Sequence, residues 1–126
     1  MDDYLILKYL GNPASIEDSN IVFEKHRKFE NLSIEGVHIS GSDVDEAFIS
    51  FTLADDGSCL IISEIPVLEE EVAIINKYLL DLGGSVGAIH NHWLFITPKI
   101  YYLHWQMKSN VNGTVLEYLK VLWEQL

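Results

Sequence analysis

The sequence of 126 residues contains a single cysteine, Cys59, and few positive charges. A lone cysteine cannot form an internal disulfide, so nothing in the chain requires an oxidising compartment. No apolar run approaches the ~18 residues of a transmembrane helix. The chain begins Met-Asp-Asp, whereas a signal peptide begins with positive charge. These absences predict a cytoplasmic protein without a membrane partner.

The shortage of positive charge also restricts the class of partner. The chain contains 8 Lys and Arg and 19 Asp and Glu, which gives a formal net charge of −11. Such a surface repels nucleic acid and anionic membranes. The charge is uneven, because residues 1–85 carry 17 acids and 5 bases while residues 86–126 carry 2 acids and 3 bases. The remaining partner classes are a small molecule or another protein, and the sequence indicates no oligomeric state.

What the chain does have is a globular composition. Hydrophobic residues make up 48% and aromatic residues 11% of the sequence. A chain of this length can bury a continuous core without a disulfide or a structural metal. We therefore expect residues 1–126 to form one domain.

The hydrophobic pattern predicts elements in the order α-β-β-β-β-α-β-β-α. Helices are expected at 2–10, in the stretch 67–84 with a cap at Gly83, and from a capping box at Thr114–Glu117 to the C-terminus. Strands are expected at 21–29, 32–39 (weak), 47–54, 58–65, 85–92 and 100–107, with Pro66 ending the fourth. A tight turn at Asp55–Gly57 joins two of them into a hairpin.

This order predicts the α+β class. Neighbouring strands pair as hairpins, and one helix connects strand 58–65 to strand 85–92, which would make those two strands parallel. We expect one mixed, mostly antiparallel sheet with the helices mainly on one face.

Three histidines near the end of this sheet form the main candidate site. In a strand, His90 and His92 point to the same face because side chains alternate. On the next strand His104 lies on the more polar face. If the two strands pair, three imidazoles can converge, and three neutral imidazoles with an open position are typical of catalytic zinc.

A carboxylate would complete such a site as a metal ligand or as a general base. Glu64, near the end of strand 58–65, is the best candidate by position, and Glu71 is the second. The competing interpretation is that the histidines form a hydrogen-bonded structural cluster. His26 and His38 are isolated in strand-like segments and are expected to be structural or solvated.

The stretch from Glu64 to His104 resembles a bacterial family typified by the mycobacterial LppY and LpqO lipoproteins. The shared pattern is an acid at a strand end, a helix beginning with Glu71-Val72, then Gly83, His90-x-His92, Pro98 and His104. The resemblance spans roughly residues 21–126, and it implies that the three histidines belong to a common pattern. It implies no activity and no substrate. Typical members carry a secretion signal and an aspartate after glycine where this chain has Ser63-Glu64.

Two functions follow from these observations. The first is a small metal-binding protein, a hydrolase or lyase, with zinc or another divalent metal held by His90, His92 and His104 and with Glu64 as ligand or base. The second is a non-enzymatic binding or interaction module in which the histidines are structural. Whether the chain is an enzyme is left open by the sequence.

Overall fold

A six-stranded antiparallel sheet forms the centre of the fold, and helices cover one of its faces. The computed structural model describes residues 1–41 and 43–126. The helices among these residues are α1 (Asp3–Leu10), α2 (Val72–Leu82) and α3 (Gly113–Gln125). The strands are β1 (Ser15–Glu17), β2 (Asn20–His26), β3 (Ser33–Ile34), β4 (Val37–His38), β5 (Glu46–Leu53), β6 (Cys59–Leu68), β7 (Ser85–His90), β8 (Ile96–Thr97) and β9 (Ile100–Ser109).

The strand order of the large sheet is β1-β2-β5-β6-β9-β7, and β4-β3-β8 form a small second sheet. The predicted α+β class is confirmed. Every pairing described is antiparallel. Since β6 and β7 are each antiparallel to β9, they run in the same direction, as the connecting helix suggested, but β9 lies between them. Short 3₁₀ helices occupy Asp43–Asp45 and Glu69–Glu71.

The main core lies between the large sheet and the three helices. Alternate residues of β6 and β9, such as Ile61 and Trp105, point into it and are at most 2% exposed. Leu79 of α2 and Leu116 of α3 meet them there. The opposite face of the sheet, which the three helices leave free, places Glu64 of β6 and His104 of β9 opposite each other.

A second, smaller core lies under the small sheet. It consists of Leu32, Val44, Ile100 and Tyr102. Because Ile100 and Tyr102 belong to β9, this core fixes the small sheet against β9 of the large one. Among the described residues, no helix has the length and the apolar character needed to cross a membrane.

Pro66 does not end its strand, contrary to the prediction. The pairing of β6 with β5 stops at Glu64, while the pairing with β9 continues to Leu68. The carbonyl oxygen of Pro66 accepts a hydrogen bond from Nη1 of Arg27 at 3.0 Å instead of a strand hydrogen bond. Proline is tolerated here because its missing N–H faces a side of the strand where no ladder bond is formed.

Two other predicted boundaries are wrong for local reasons. The strand expected at 32–39 is two strands of two residues each, since Glu35 and Gly36 turn the chain with φ of 49° and 77°. The last helix is capped by Asn112 and not by Thr114. The Asn112 side chain accepts a hydrogen bond from the Val115 N–H at 3.0 Å, which is the usual N-cap contact.

Gly84 is required by the packing of Trp105. A Cβ atom on Gly84 would lie 1.9 Å from Nε1 of Trp105. The indole is fixed, because it is buried and donates a hydrogen bond to the Leu79 carbonyl at 3.2 Å. A methyl group at position 84 therefore has to displace one of the two tryptophans of the core.

We predict that Gly84→Ala lowers the free energy of unfolding by about 3 kcal/mol, since overpacking a rigid core is costly. Urea unfolding measures this change. Gly87→Ala is the matched control, because its Cβ would meet nothing closer than 3.9 Å, and we expect a change below about 1 kcal/mol. Equal effects of the two substitutions would contradict the packing argument.

Candidate metal centre

Strand pairing places His104 on the face of the sheet that the helices leave free, between β6 and β7. In β9 it lies opposite Glu64 of β6 on one side and Ala88 of β7 on the other. His90 is the last residue of β7 and pairs with Tyr102. The predicted adjacency of the two histidine-bearing segments is therefore present, with Glu64 on the third neighbouring strand.

His92 reaches the same place by a different route from the one predicted. The strand expected at 85–92 ends at His90, so strand alternation does not orient His92. Its ring lies on the ring of Tyr102 instead, with centroids 3.8 Å apart and an interplanar angle of 3°. This stacking, and not strand periodicity, directs His92 toward the other two histidines.

The three imidazoles form a compact cluster. Ring centroids are 4.9 Å apart for His90 and His92, 5.0 Å for His90 and His104, and 5.8 Å for His92 and His104. One nitrogen from each ring lies within 4.8 Å of the corresponding nitrogen of the other two. Zinc bonds of 2.0–2.1 Å in tetrahedral geometry place ligand nitrogens about 3.3 Å apart. Small side-chain rotations would therefore bring the three nitrogens to bonding distance from one ion.

The hydrogen bonds leave ring nitrogens free to act as ligands. Nδ1 of His90 lies 3.2 Å from the Asn91 carbonyl oxygen, and since a carbonyl only accepts, Nδ1 is the donor. The lone pair of the neutral ring is then on Nε2. Nε2 of His104 is buried and has no hydrogen-bond partner in the part of the chain that the structure describes. A buried nitrogen without a partner is costly, and a metal ion would satisfy it.

Glu64 lies beside the three histidines but is not among the residues whose ligand atoms come within 4.8 Å of one another. Its Oε1 is 3.7 Å from Nε2 of His92, which is too far for a hydrogen bond. Burial lowers the pKa of His92 below its usual value, and the neighbouring His90 and His104 lower it further, while Glu64 opposes the shift. The neutral imidazole that results is the form that binds metals.

Tyr102 is a site residue that the sequence interpretation missed. Its hydroxyl donates a hydrogen bond to the Val44 carbonyl at 2.6 Å, and burial raises the pKa of Tyr102 to about 12 although a hydrogen bond from Trp93 opposes that shift. The phenol therefore stays neutral and anchored, and its ring supports His92. Alternation along β9 places Tyr102 and His104 on one face, but no sequence signal indicates the stacking.

The other candidates lie elsewhere. Glu71 accepts two hydrogen bonds from Arg27, at 2.7 and 3.0 Å, and one from the Leu68 N–H at 2.8 Å. Its role is structural, so the second choice for the catalytic carboxylate is not part of the cluster. His26 contacts Asp45 through Nδ1 at 2.6 Å, and His38 is exposed on β4. Both are separate from the three histidines.

Comparison with known proteins gives a family and no activity. The family described as Domain of Unknown Function (DUF1259) matches residues 5–113. This range contains all three histidines and Glu64. No curated protein gave a significant match, and neither did any solved structure.

We predict that Glu71→Gln lowers the free energy of unfolding by about 2 kcal/mol at pH 7, because Arg27 loses its charged partner in a part-buried setting. Arg27 holds the pKa of Glu71 below its usual value. A lowered pKa in the folded state means that the carboxylate stabilises the fold above its unfolded pKa and loses this effect as pH falls. The difference from wild type should therefore shrink below about pH 4.5.

Chemical denaturation between about pH 2.5 and 7 measures both effects. Glu70→Gln is the control, because Glu70 is exposed on the same 3₁₀ turn. A stability difference for Glu71→Gln that grows as pH falls would contradict the assigned role.

Proposed function

The chain belongs to the family described as Domain of Unknown Function (DUF1259), and we propose that it binds a divalent metal ion through His90, His92 and His104. The observation that carries the proposal is the approach of three ring nitrogens to within 4.8 Å of one another. The unpartnered nitrogen of His104 supports it. The resemblance to proteins typified by LppY and LpqO supports it as well, since the same three histidines carry that resemblance.

Zinc suits this donor set best. Three imidazoles with one position left for water or substrate are typical of catalytic zinc, and a fully structural site would be closed by a fourth protein ligand. Cys59 cannot supply that ligand, because it lies in the helix-covered core and contacts Met1. His90 and His92 are exposed at the surface, so water and small molecules can reach the open side of the cluster.

Glu64 would act as the general base of this site. Zinc bound by three histidines lowers the pKa of a water ligand to about 7. Glu64 lies close enough to the cluster to accept a proton from such a water, and its place outside the group of three leaves its oxygens available. Metal-assisted hydrolysis or a lyase reaction is the chemistry that this arrangement favours.

We expect purified protein to bind one Zn²⁺ or Co²⁺ per chain, and His104→Ala to weaken binding at least about 100-fold because one of three ligands is lost. Isothermal titration and the visible absorption of Co²⁺ measure this. His38→Ala is the control, since it removes an exposed histidine from β4. Equal affinity in wild type and His104→Ala, or no binding in either, contradicts the proposal.

The role of Glu64 predicts a separate result. Glu64→Gln should keep metal affinity within about tenfold of wild type and should lose about 10²–10⁴-fold in the rate of any hydrolysis or elimination that the loaded protein catalyses, since that is the range for a general base. A screen of carboxylic esters, amides and small hydroxy acids provides the substrate. A loss of metal affinity as large as that of His104→Ala would instead identify Glu64 as a metal ligand.

A binding module without catalysis is the second candidate. One observation favours it: Trp93, Leu94 and Phe95, directly after the cluster, are 45%, 69% and 75% exposed. No metal binding together with no turnover of any substrate class would support this function, because the histidines would then be structural.

A further inference from the structure

The segment Trp93–Phe95, which we call the apolar tip, is unusual for a surface loop. Single exposed apolar residues are common, but a contiguous apolar patch indicates a binding site. Three large apolar side chains in succession leave their surface in water and contribute little to the core. The tip therefore contributes little to folding, and ligand binding would explain its apolar composition.

The backbone holds the tip in place. The Phe95 carbonyl accepts a hydrogen bond from the Glu35 N–H at 3.0 Å, and Phe95 has the left-handed φ of 55°. Directly after it, Ile96 pairs with Ile34 across β8 and β3. Such a fixed loop presents its side chains without the entropy cost of ordering a mobile segment.

The tip forms one wall of a groove of about 390 Å³, which is within the size range of small-molecule sites. Its lining residues are Asn91, Trp93, Leu94, Phe95, Ile96, Lys99, Ile100 and Tyr101. Lys99 is the only charged residue among them. It is exposed and forms no ion pair with any residue in the described ranges.

The charge of Lys99 indicates which class of ligand the groove would bind. The chain carries a net charge of −11, so most of its surface repels an anion. The groove combines an isolated positive charge with the apolar side chains of the tip along one wall, which complements an anion that has an apolar body. Another groove with apolar walls, of about 320 Å³ between α2 and α3, is lined by Glu70 and Glu71 instead of a lysine.

The groove adjoins the metal centre. Trp93 follows His92 in the chain and lies close enough to the Tyr102 hydroxyl to lower the pKa of that phenol, and the Tyr102 ring stacks on His92. Trp93 thus belongs both to the groove wall and to the contacts that position a candidate metal ligand.

We propose that this groove binds a small carboxylate with an alkyl or aryl body, and that this is the substrate class presented to the three-histidine centre. The second part rests on the proposed metal site, while binding in the groove does not. The apolar body lies against Trp93 and Phe95, and the carboxylate pairs with Lys99.

Tryptophan fluorescence tests the groove directly, because Trp93 is 45% exposed while Trp105 and Trp123 are at most 9% exposed. Metal-free protein in EDTA is titrated with octanoate, octanamide and octylammonium, and acrylamide quenching is measured at each step. We expect octanoate to shift the emission to the blue and to protect Trp93 from acrylamide. Octylammonium should bind about tenfold or more weakly than octanoate, since Lys99 repels it.

Variants locate the site. Phe95→Ala should weaken octanoate binding about tenfold and Lys99→Gln about fivefold. Phe95 and Lys99 are exposed, so the fold should tolerate both changes, and circular dichroism checks this. Ile74→Ala, in the groove between α2 and α3, and Lys8→Gln, at the end of α1, are the matched controls.

The absence of a saturable shift, equal binding of octanoate and octylammonium, or unchanged binding in both Phe95→Ala and Lys99→Gln would overturn the proposal. So would a loss of binding in Ile74→Ala. A parallel Co²⁺ titration separates the two ideas. If Co²⁺ binds and octanoate does not, the groove proposal fails alone. If octanoate binds and Co²⁺ does not, the groove stands as a binding site, while the metal function and the substrate role based on it fail.

Discussion

The antiparallel pairing of β9 with both β6 and β7 is the constraint on which the rest of the structure depends. It places His104 between Glu64 and Ala88 in one row across the sheet. It also brings the end of β7, and with it His90, next to Tyr102. Strand 100–109 therefore joins segments that are distant in the chain into one face.

Tyr102 connects this face to the remainder of the molecule. Its ring contacts His92, its hydroxyl is bonded to Val44, and its side chain belongs to the small core under β3, β4 and β8. The small sheet thus supports a candidate metal ligand from behind. In metal sites generally, such supporting contacts orient the ligands as much as the ligands' own backbone does.

Local sequence signals predicted most of the fold. The hydrophobic pattern identified the first two helices, with Gly83 as the cap of the second. Asp55–Gly57 identified the hairpin between β5 and β6, with Gly57 at a φ of 85°. Features set by distant contacts were missed. Pro66 is accommodated because β5 has already diverged and Arg27 bonds its carbonyl, and Gly84 is needed because of Trp105, 21 positions later in the chain. Neither neighbour can be identified from a short window of sequence.

The candidate site shows the same division. The spacing of His90, His92 and His104 on predicted strands was sufficient to predict that the three side chains lie close together. Glu64 lies beside them, as expected. The predicted reason for the orientation of His92, strand alternation, was wrong, because β7 ends two residues earlier. Stacking of its ring on Tyr102 orients His92 instead. Aromatic stacking across strands depends on the strand register and on the loop conformation. The periodicity of the sequence reveals neither.

The central claim is that the three imidazoles bind one metal ion together. X-ray absorption at the zinc edge, on protein loaded with one equivalent of Zn²⁺, tests it most directly. The account predicts a first shell of nitrogen and oxygen at about 2.0–2.1 Å with outer-shell scattering from three imidazole rings, reduced to two rings in His104→Ala. A first shell with sulfur, or with one imidazole or none, would contradict it.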